Sequence, residues 1–193
     1  MTVNYYGNTN SMARKSNEKL WNHLINELDD FQVQAGWFEE SRYDSDTPIA
    51  YVAAIQNFGA RVRTADSFKK YLHVIGIHLR KDKTEFIIPP RPFMDNAKRR
   101  VESDEGKQII LQELLKVFAG KQTMEKALNR MGLWLQGVIQ EEIKAINSPK
   151  LSGMTVEMRD MSYTSESANK STKPLNSTGL MFSSVQYKAE KKQ

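Results

Sequence analysis

The chain has 193 residues, with 28 lysines and arginines against 23 aspartates and glutamates, and no cysteine. That length suffices for one domain with a real core plus tails, and the missing cysteines exclude disulfides and thiolate metal sites, as expected of assembly in a reducing cytoplasm. No stretch approaches the roughly 18 apolar residues of a membrane span, and residues 1–15 hold no apolar secretion core, so a soluble protein without a visible address is expected.

Residues 1–15 are rich in Asn, Ser and Thr without periodicity and predict a flexible arm ahead of a single domain over 16–189. Leu20, Trp21, Leu24, Ile25 and Leu28 follow helical spacing, with Ser16 or Asn17 placed to cap the start. Phe31, Val33, Ala35 and Trp37 then alternate with Gln32, Gln34 and Gly36, the period of a half-buried strand, and the polar run 39–46 turns the chain. Thr47-Pro48 reads as an N-cap followed by proline at the first helical position. Tyr51, Ala54, Ile55 and Phe58 would share the apolar face of a short helix over 48–58 that Gly59 closes.

Tyr71, His73, Ile75, Ile77 and Leu79 alternate, residues 80–84 form a polar tip and 85–88 return, which predicts a long antiparallel β-hairpin protruding from the body. The returning strand runs into Pro89, Pro90 and Pro92, which lack N–H groups and hold the backbone extended, so the chain turns a rigid corner. Beyond it Asp95 can cap a helix whose stripe of Ile109, Ile110, Leu114, Val117 and Phe118 runs to Gly120, with Gly106 marking a break. Thr123 opens the strongest helical pattern, Ala127, Met131, Trp134, Leu135, Val138, Ile139, Ile143 and Ile146, ending before Pro149. Residues 162–173 read as a loop. Met181, Ser183, Val185, Tyr187 and Ala189 alternate as a last strand, and 190–193 read as a frayed tail. The fold class is α/β of the α+β kind: an antiparallel or mixed β-sheet flanked by two to three amphipathic helices, with a protruding hairpin.

Between Ala60 and Phe93 eight cations stand against three acids, so this stretch carries the whole net charge of +5. Arg61, Arg63, Lys69, Lys70, Arg80, Lys81 and Lys83 of the basic segment 60–88 are candidates to face DNA or an acidic partner, and a solvated charged surface is the plainer alternative. At the corner, Arg91 and Phe93 lie two apart in extended backbone and so share a side, which suits docking; the plainer alternative is that Phe93 plugs the core.

Catalysis finds little support. His73 and His78 have opposite parity on the expected strand and would face opposite sides, and His23 stands alone, so they do not form a metal site. Asp44-Ser45-Asp46 begins like a calcium loop but lacks the glycine and distant glutamate. No phosphate-cradling glycine loop or nucleophile elbow occurs, and the Asn169 and Asn176 glycosylation-like triplets are chance matches in a Ser/Thr-rich stretch.

Four blocks in order carry a family resemblance: Phe38-Glu39-Glu40-Ser41-Arg42-Tyr43; residues 49–59, ending Gln56-Asn57-Phe58-Gly59; Ile88-Pro89-Pro90-Arg91-Pro92-Phe93-Met94; and Lys173-Pro174-Leu175-Asn176-Ser177-Thr178-Gly179-Leu180-Met181. Together they resemble the tailed-bacteriophage virion-morphogenesis proteins, neck or tail-completion proteins that include the Mu G-like group. Asn57 stands where an acidic residue is usual in that pattern, and Ser177 where aspartate is usual. The resemblance implies a structural virion protein, assembled in the host cytoplasm, that forms a homo-oligomeric ring, a hexamer by analogy. It would complete the tail or join head to tail, next to other neck, head-completion or tail-tube and terminator proteins and near DNA in the channel. No enzyme activity, cofactor, metal or membrane is implied. The assembly interface it points to comprises Phe58, Gly59, Pro89, Pro90, Arg91, Pro92, Phe93, Met94, Thr178 and Gly179. A basic nucleic-acid-binding module, with the hairpin in a groove, is the alternative from another class.

Overall fold

The computed structural model describes residues 30–80, 82–161 and 172–191. The expected arm, the helix over Leu20 to Leu28, Lys81 and most of the 162–173 loop lie outside the described residues. In chain order the elements are β1 (Phe31–Gly36), α1 (Ile49–Phe58), β2 (Ala60–Arg63), α2 (Asp66–Val74), β3 (Glu85–Ile88), α3 (Phe93–Glu102), α4 (Asp104–Phe118), α5 (Met124–Ala145), α6 (Gly153–Met161), α7 (Leu180–Ser183) and β4 (Gln186–Lys191). The fold is α+β. Its strands form two separate antiparallel ribbons rather than one sheet: β1 pairs with β4 from Phe31↔Lys191 to Gly36↔Gln186, and β2 with β3 from Ala60↔Ile88 to Arg63↔Glu85.

Helix α5 is the spine, as its unbroken apolar stripe predicts. The Thr123 side chain accepts from Lys126 N at 3.3 Å and so satisfies one of the free N–H groups of the first turn. The C-terminal half of α5 packs Val138, Ile139 and Ile143 with Ile49 and Ala53 of α1, Phe93 and Ala97 of α3, and Met181 and Val185. Its N-terminal half packs Ala127, Leu128 and Met131 against Phe31 and Val33 of β1, Ala189 of β4, and Ile110, Leu114 and Val117 of α4. Burying each of the larger apolar side chains stabilises by roughly 1.5–3 kcal/mol, so the two clusters meeting on one helix fix where β1, β4, α1, α3 and α4 sit. At the α4–α5 turn Glu113 gathers Lys116, Gln122 (Nε2 to Oε2, 2.8 Å) and Arg130 (3.4 Å). The hydrogen bonds from Lys116 and Gln122 hold its carboxyl down to about 2.

Several expectations are corrected. The outgoing strand of the expected hairpin is not a strand: 66–74 is helical, and β3 pairs instead with β2. The apolar residues there also fit helical spacing through Phe68, Leu72 and Ile75, and the fully buried Leu72 is the inward one. Phe68 stacks on Tyr71 and meets Phe86 of β3 edge-on at 5.8 Å. Gly76, at φ 86°, ends the helix with its N–H on the His73 carbonyl at 3.2 Å. That turn places the His73 and His78 Nδ1 atoms 2.8 Å apart, so they do not face opposite sides.

Helix α1 also turns a different face inward. Ile49, Ala53 and Asn57 are buried, whereas Tyr51, Ala54 and Phe58 are exposed. The cap residue of α1 is Pro48, with no side-chain hydrogen bond, in place of Thr47. The helix after the corner breaks at Ser103, which caps α4, and not at Gly106. Met181 and Val185, spaced as on a helix, lie on or just past α7, so the last strand starts at Gln186; it stays paired through residues 190–191, where a frayed tail is expected.

Candidate functional site

The corner is built from the end of α1 outward. Gly59 takes φ 75° and ψ 167°, a state open to glycine and costly for other residues. The chain crosses itself here: a Cβ at position 59 would stand 2.7 Å from the Ile88 carbonyl oxygen and 2.9 Å from Pro90 N. Pro90 can approach so closely only because residue 59 carries no side chain.

Two side-chain ties then lock the crossing. Arg91 N donates to the Gln56 carbonyl at 2.8 Å, one of the last carbonyls of α1 that the helix itself leaves unsatisfied. The Arg91 guanidinium continues the tie, Nη1 to Gln56 Oε1 at 2.9 Å and Nε to the Pro149 carbonyl at 3.1 Å. On the other side, Asn57 Oδ1 accepts from Met94 N and its Nδ2 donates to Asp95 Oδ2, both at 2.9 Å. Asn57 therefore caps the first turn of α3, whose own N-cap residue, Pro92, makes no side-chain cap bond. Accepting and donating at once suits an amide and not a carboxylate, which gives the departure at Asn57 a physical role.

The structure corrects the expected docking pair. Arg91 is 3% exposed and Phe93 0%. The Phe93 ring lies edge-on to Trp37 at 6.0 Å, and Trp37 Nε1 is itself held by the Met181 carbonyl at 2.9 Å. Met94 packs against the same core. The plainer alternative therefore describes Phe93: it plugs the core, because it opens α3 with its side chain toward α5. Of the remaining expected interface residues, Phe58 is 72% exposed, Pro90, Pro92 and Thr178 are exposed, and Pro89 is half-buried. Gly179 is left-handed, at φ 77°, and precedes α7.

Pro89, Arg91, Thr178 and Gly179 share the wall of one cavity of about 590 Å³, so blocks distant in sequence meet there. Ser177, Lys150 and Arg159 line it too. Arg159 Nη1 donates to the Lys173 and Asn176 carbonyls at 3.2 and 3.1 Å, tying α6 to the Thr-Gly block. Burial first, and then the charge of Arg159, lower the Arg91 pKa below its ordinary value; burial lowers that of Arg159. The sequence reading missed Gln56, Pro149, Lys150 and Arg159 as parts of this corner, since nothing local marks a carbonyl or a cation that only tertiary contact brings near.

The basic set is dispersed over β2, α2 and the loop to β3. Arg61 pairs with Glu85 at 3.3 Å, Arg80 with Asp82 at 3.4 Å, and Lys83 lies over the Phe86 ring at 5.8 Å. Arg63 and Lys70 are exposed and Lys69 half-buried, with Lys69, His73, His78 and Arg80 around a shallow hollow. Neither apolar core cluster includes a residue of 60–88.

No protein family, curated protein or solved structure matches this chain. Among the described residues no three His, Cys, Asp or Glu side chains are placed to hold one metal ion, and no helix is long and apolar enough to cross a membrane. What the corner offers chemically is recognition: a locked backbone crossing, an apolar outer helix face and a cationic cavity.

Proposed function

We propose that the chain is a structural protein of the tailed-bacteriophage neck or tail end, building a homo-oligomeric ring, of six subunits by analogy, that completes the tail or joins it to the head. The observation that carries this reading is the meeting, at one corner, of three of the blocks behind the family resemblance. Gly59 lies under Ile88 and Pro90, Asn57 caps the turn that Phe93 opens, and Thr178 and Gly179 share a cavity with Pro89 and Arg91. Segments so far apart converge on a unit too rigid to lose much entropy on docking. The outer face of α1 supports the same reading, since Tyr51, Ala54 and Phe58 leave apolar surface beside that unit, with Tyr51 61% and Phe58 72% exposed.

The partners in this reading are further copies of the chain and the adjoining neck, head-completion, tail-tube or terminator proteins of the virion, and no catalytic step is involved. Repeated around a ring, the cations of residues 60–88 would create a field favourable to passing DNA without reading its sequence. The test is genetic: particles made without the protein should accumulate as separate heads and tails, or as tails with faulty ends. Fully infectious particles lacking it would refute the proposal.

A further inference from the structure

Helix α2 ends in a turn that sets two imidazoles against each other. Gly76 N donates to the His73 carbonyl at 3.2 Å and Ile77 N to the Leu72 carbonyl at 2.8 Å, the pair of bonds by which a left-handed residue closes a helix. Gly76 supplies that residue at φ 86°, and Leu72 and Ile77 are both buried, so the backbone after the turn is held to one course. It brings His78 back beside His73 on the last turn of α2. Their Nδ1 atoms stand 2.8 Å apart, and their ring centroids 4.7 Å apart with planes inclined at 59°. The nitrogens, and not the ring faces, are therefore the points of closest approach. Both residues are exposed, and with Lys69, Leu79 and Arg80 they line a shallow hollow of about 300 Å³.

A hydrogen bond between two Nδ1 atoms needs one of them to carry a proton and the other to be bare. A metal ion needs both bare. Two nitrogen ligands about 2.0 Å from one ion stand about 2.8 Å apart when they meet it at a right angle, and about 3.3 Å apart at the tetrahedral angle. The spacing of His73 and His78 is the right-angled one. We propose that these two residues form a two-histidine chelate for a divalent transition-metal ion of square-planar or tetragonal preference, copper(II) or nickel(II), with water in the remaining positions. Each Nδ1 lone pair forms a bond to the ion; the ring that had donated gives up its Nδ1 proton and takes one on Nε2, so both rings stay neutral. Lys69 and Arg80 at the rim oppose the ion, with Arg80 drawn toward Asp82 at 3.4 Å. The preformed pair offsets that repulsion, because the second imidazole binds intramolecularly. The site stands apart from the virion reading: a chain that never forms rings would still hold the ion.

The experiment is calorimetric titration of the full chain, free of any histidine-containing tag, with nickel chloride and with zinc chloride at neutral pH. Nickel should bind at a single site per chain and more tightly than zinc. His73→Ala and His78→Ala should each weaken nickel binding about tenfold or more, whereas His23→Ala, which removes the only other histidine, should leave it in place. Because both positions are exposed, the metal-free melting temperature should stay the same in both variants. With one equivalent of copper(II), the electron paramagnetic resonance spectrum should show splitting from two nitrogens in the parent and from fewer in each variant. Nickel binding unchanged in either variant, or abolished by His23→Ala, would mean adventitious metal only and overturn the proposal. Tighter binding of zinc than of nickel would overturn the right-angled geometry, and the absence of any binding at millimolar nickel would overturn the site outright.

Discussion

Replacing Gly59 by alanine tests the crossing on which the corner depends. The new Cβ would lie 2.7 Å from the Ile88 carbonyl oxygen and 2.9 Å from Pro90 N, both backbone atoms of a segment stiffened by proline. Neither can yield as the end of a side chain would. At φ 75° and ψ 167° the alanine backbone itself costs about 1–3 kcal/mol, and forcing extra volume into a packed site adds about 1–3 kcal/mol. The expected loss is about 4 kcal/mol, or roughly 10 °C in melting temperature for a chain of this size. Gly137→Ala is the matched control. It sits inside α5, where a Cβ meets nothing within 4 Å, and should be neutral or stabilising by up to about 1 kcal/mol. Urea and thermal unfolding of both variants provide the assay. A Gly59→Ala protein within about 1 kcal/mol of the parent, below the cost of the backbone state alone, would refute the close crossing.

The other expectations concern the same frame. Phe93→Ala should lower unfolding free energy by about 3–5 kcal/mol, since the ring is fully buried against Trp37; a variant as stable as the parent but defective only in assembly would restore the docking role. Asn57→Ala should cost about 1–3 kcal/mol in urea unfolding, because it leaves Met94 N and Asp95 without the contacts now made at 2.9 Å. Glu113, depressed to about 2 by Lys116 and Gln122, gives stability that is fully present above the unfolded value near 4.5 and lost as pH falls toward about 2. Glu113→Gln should therefore cost about 1–2 kcal/mol at neutral pH, after allowance for solvent screening, and progressively less as pH falls below 4.5 and through about 2, as read from urea midpoints across pH.

What could be read from the sequence follows how local each signal is. The α5 stripe, the Thr123 cap and the Gly59 closure are written in neighbouring residues and appear where the local pattern puts them, and the strand expected over Phe31 to Trp37 appears too, ending at Gly36. The segment around Tyr71 to Leu79 fits period 2 and period 3.6 alike, and Gly76, at φ 86°, was the available sign that a helix ends there. The inward face of α1 was not legible: Tyr51 and Phe58 look like core by type, but the cap that Asn57 makes on α3 turns 49, 53 and 57 inward. Likewise the rule that extended residues two apart share a side is correct for a strand, yet Phe93 already belongs to α3. The cationic cavity was not legible either, because Lys150 and Arg159 reach Arg91 only through tertiary packing.

The central claim is that this chain assembles into a ring. Electron microscopy of the purified full chain, alone and mixed with purified tails, with particle mass measured on the same sample, tests it most directly. The account predicts closed rings with a mass that is a whole multiple of 22.2 kDa, six-fold by analogy, seated at tail ends when tails are present. A 22.2 kDa monomer at every concentration, with tail ends left bare, would contradict it.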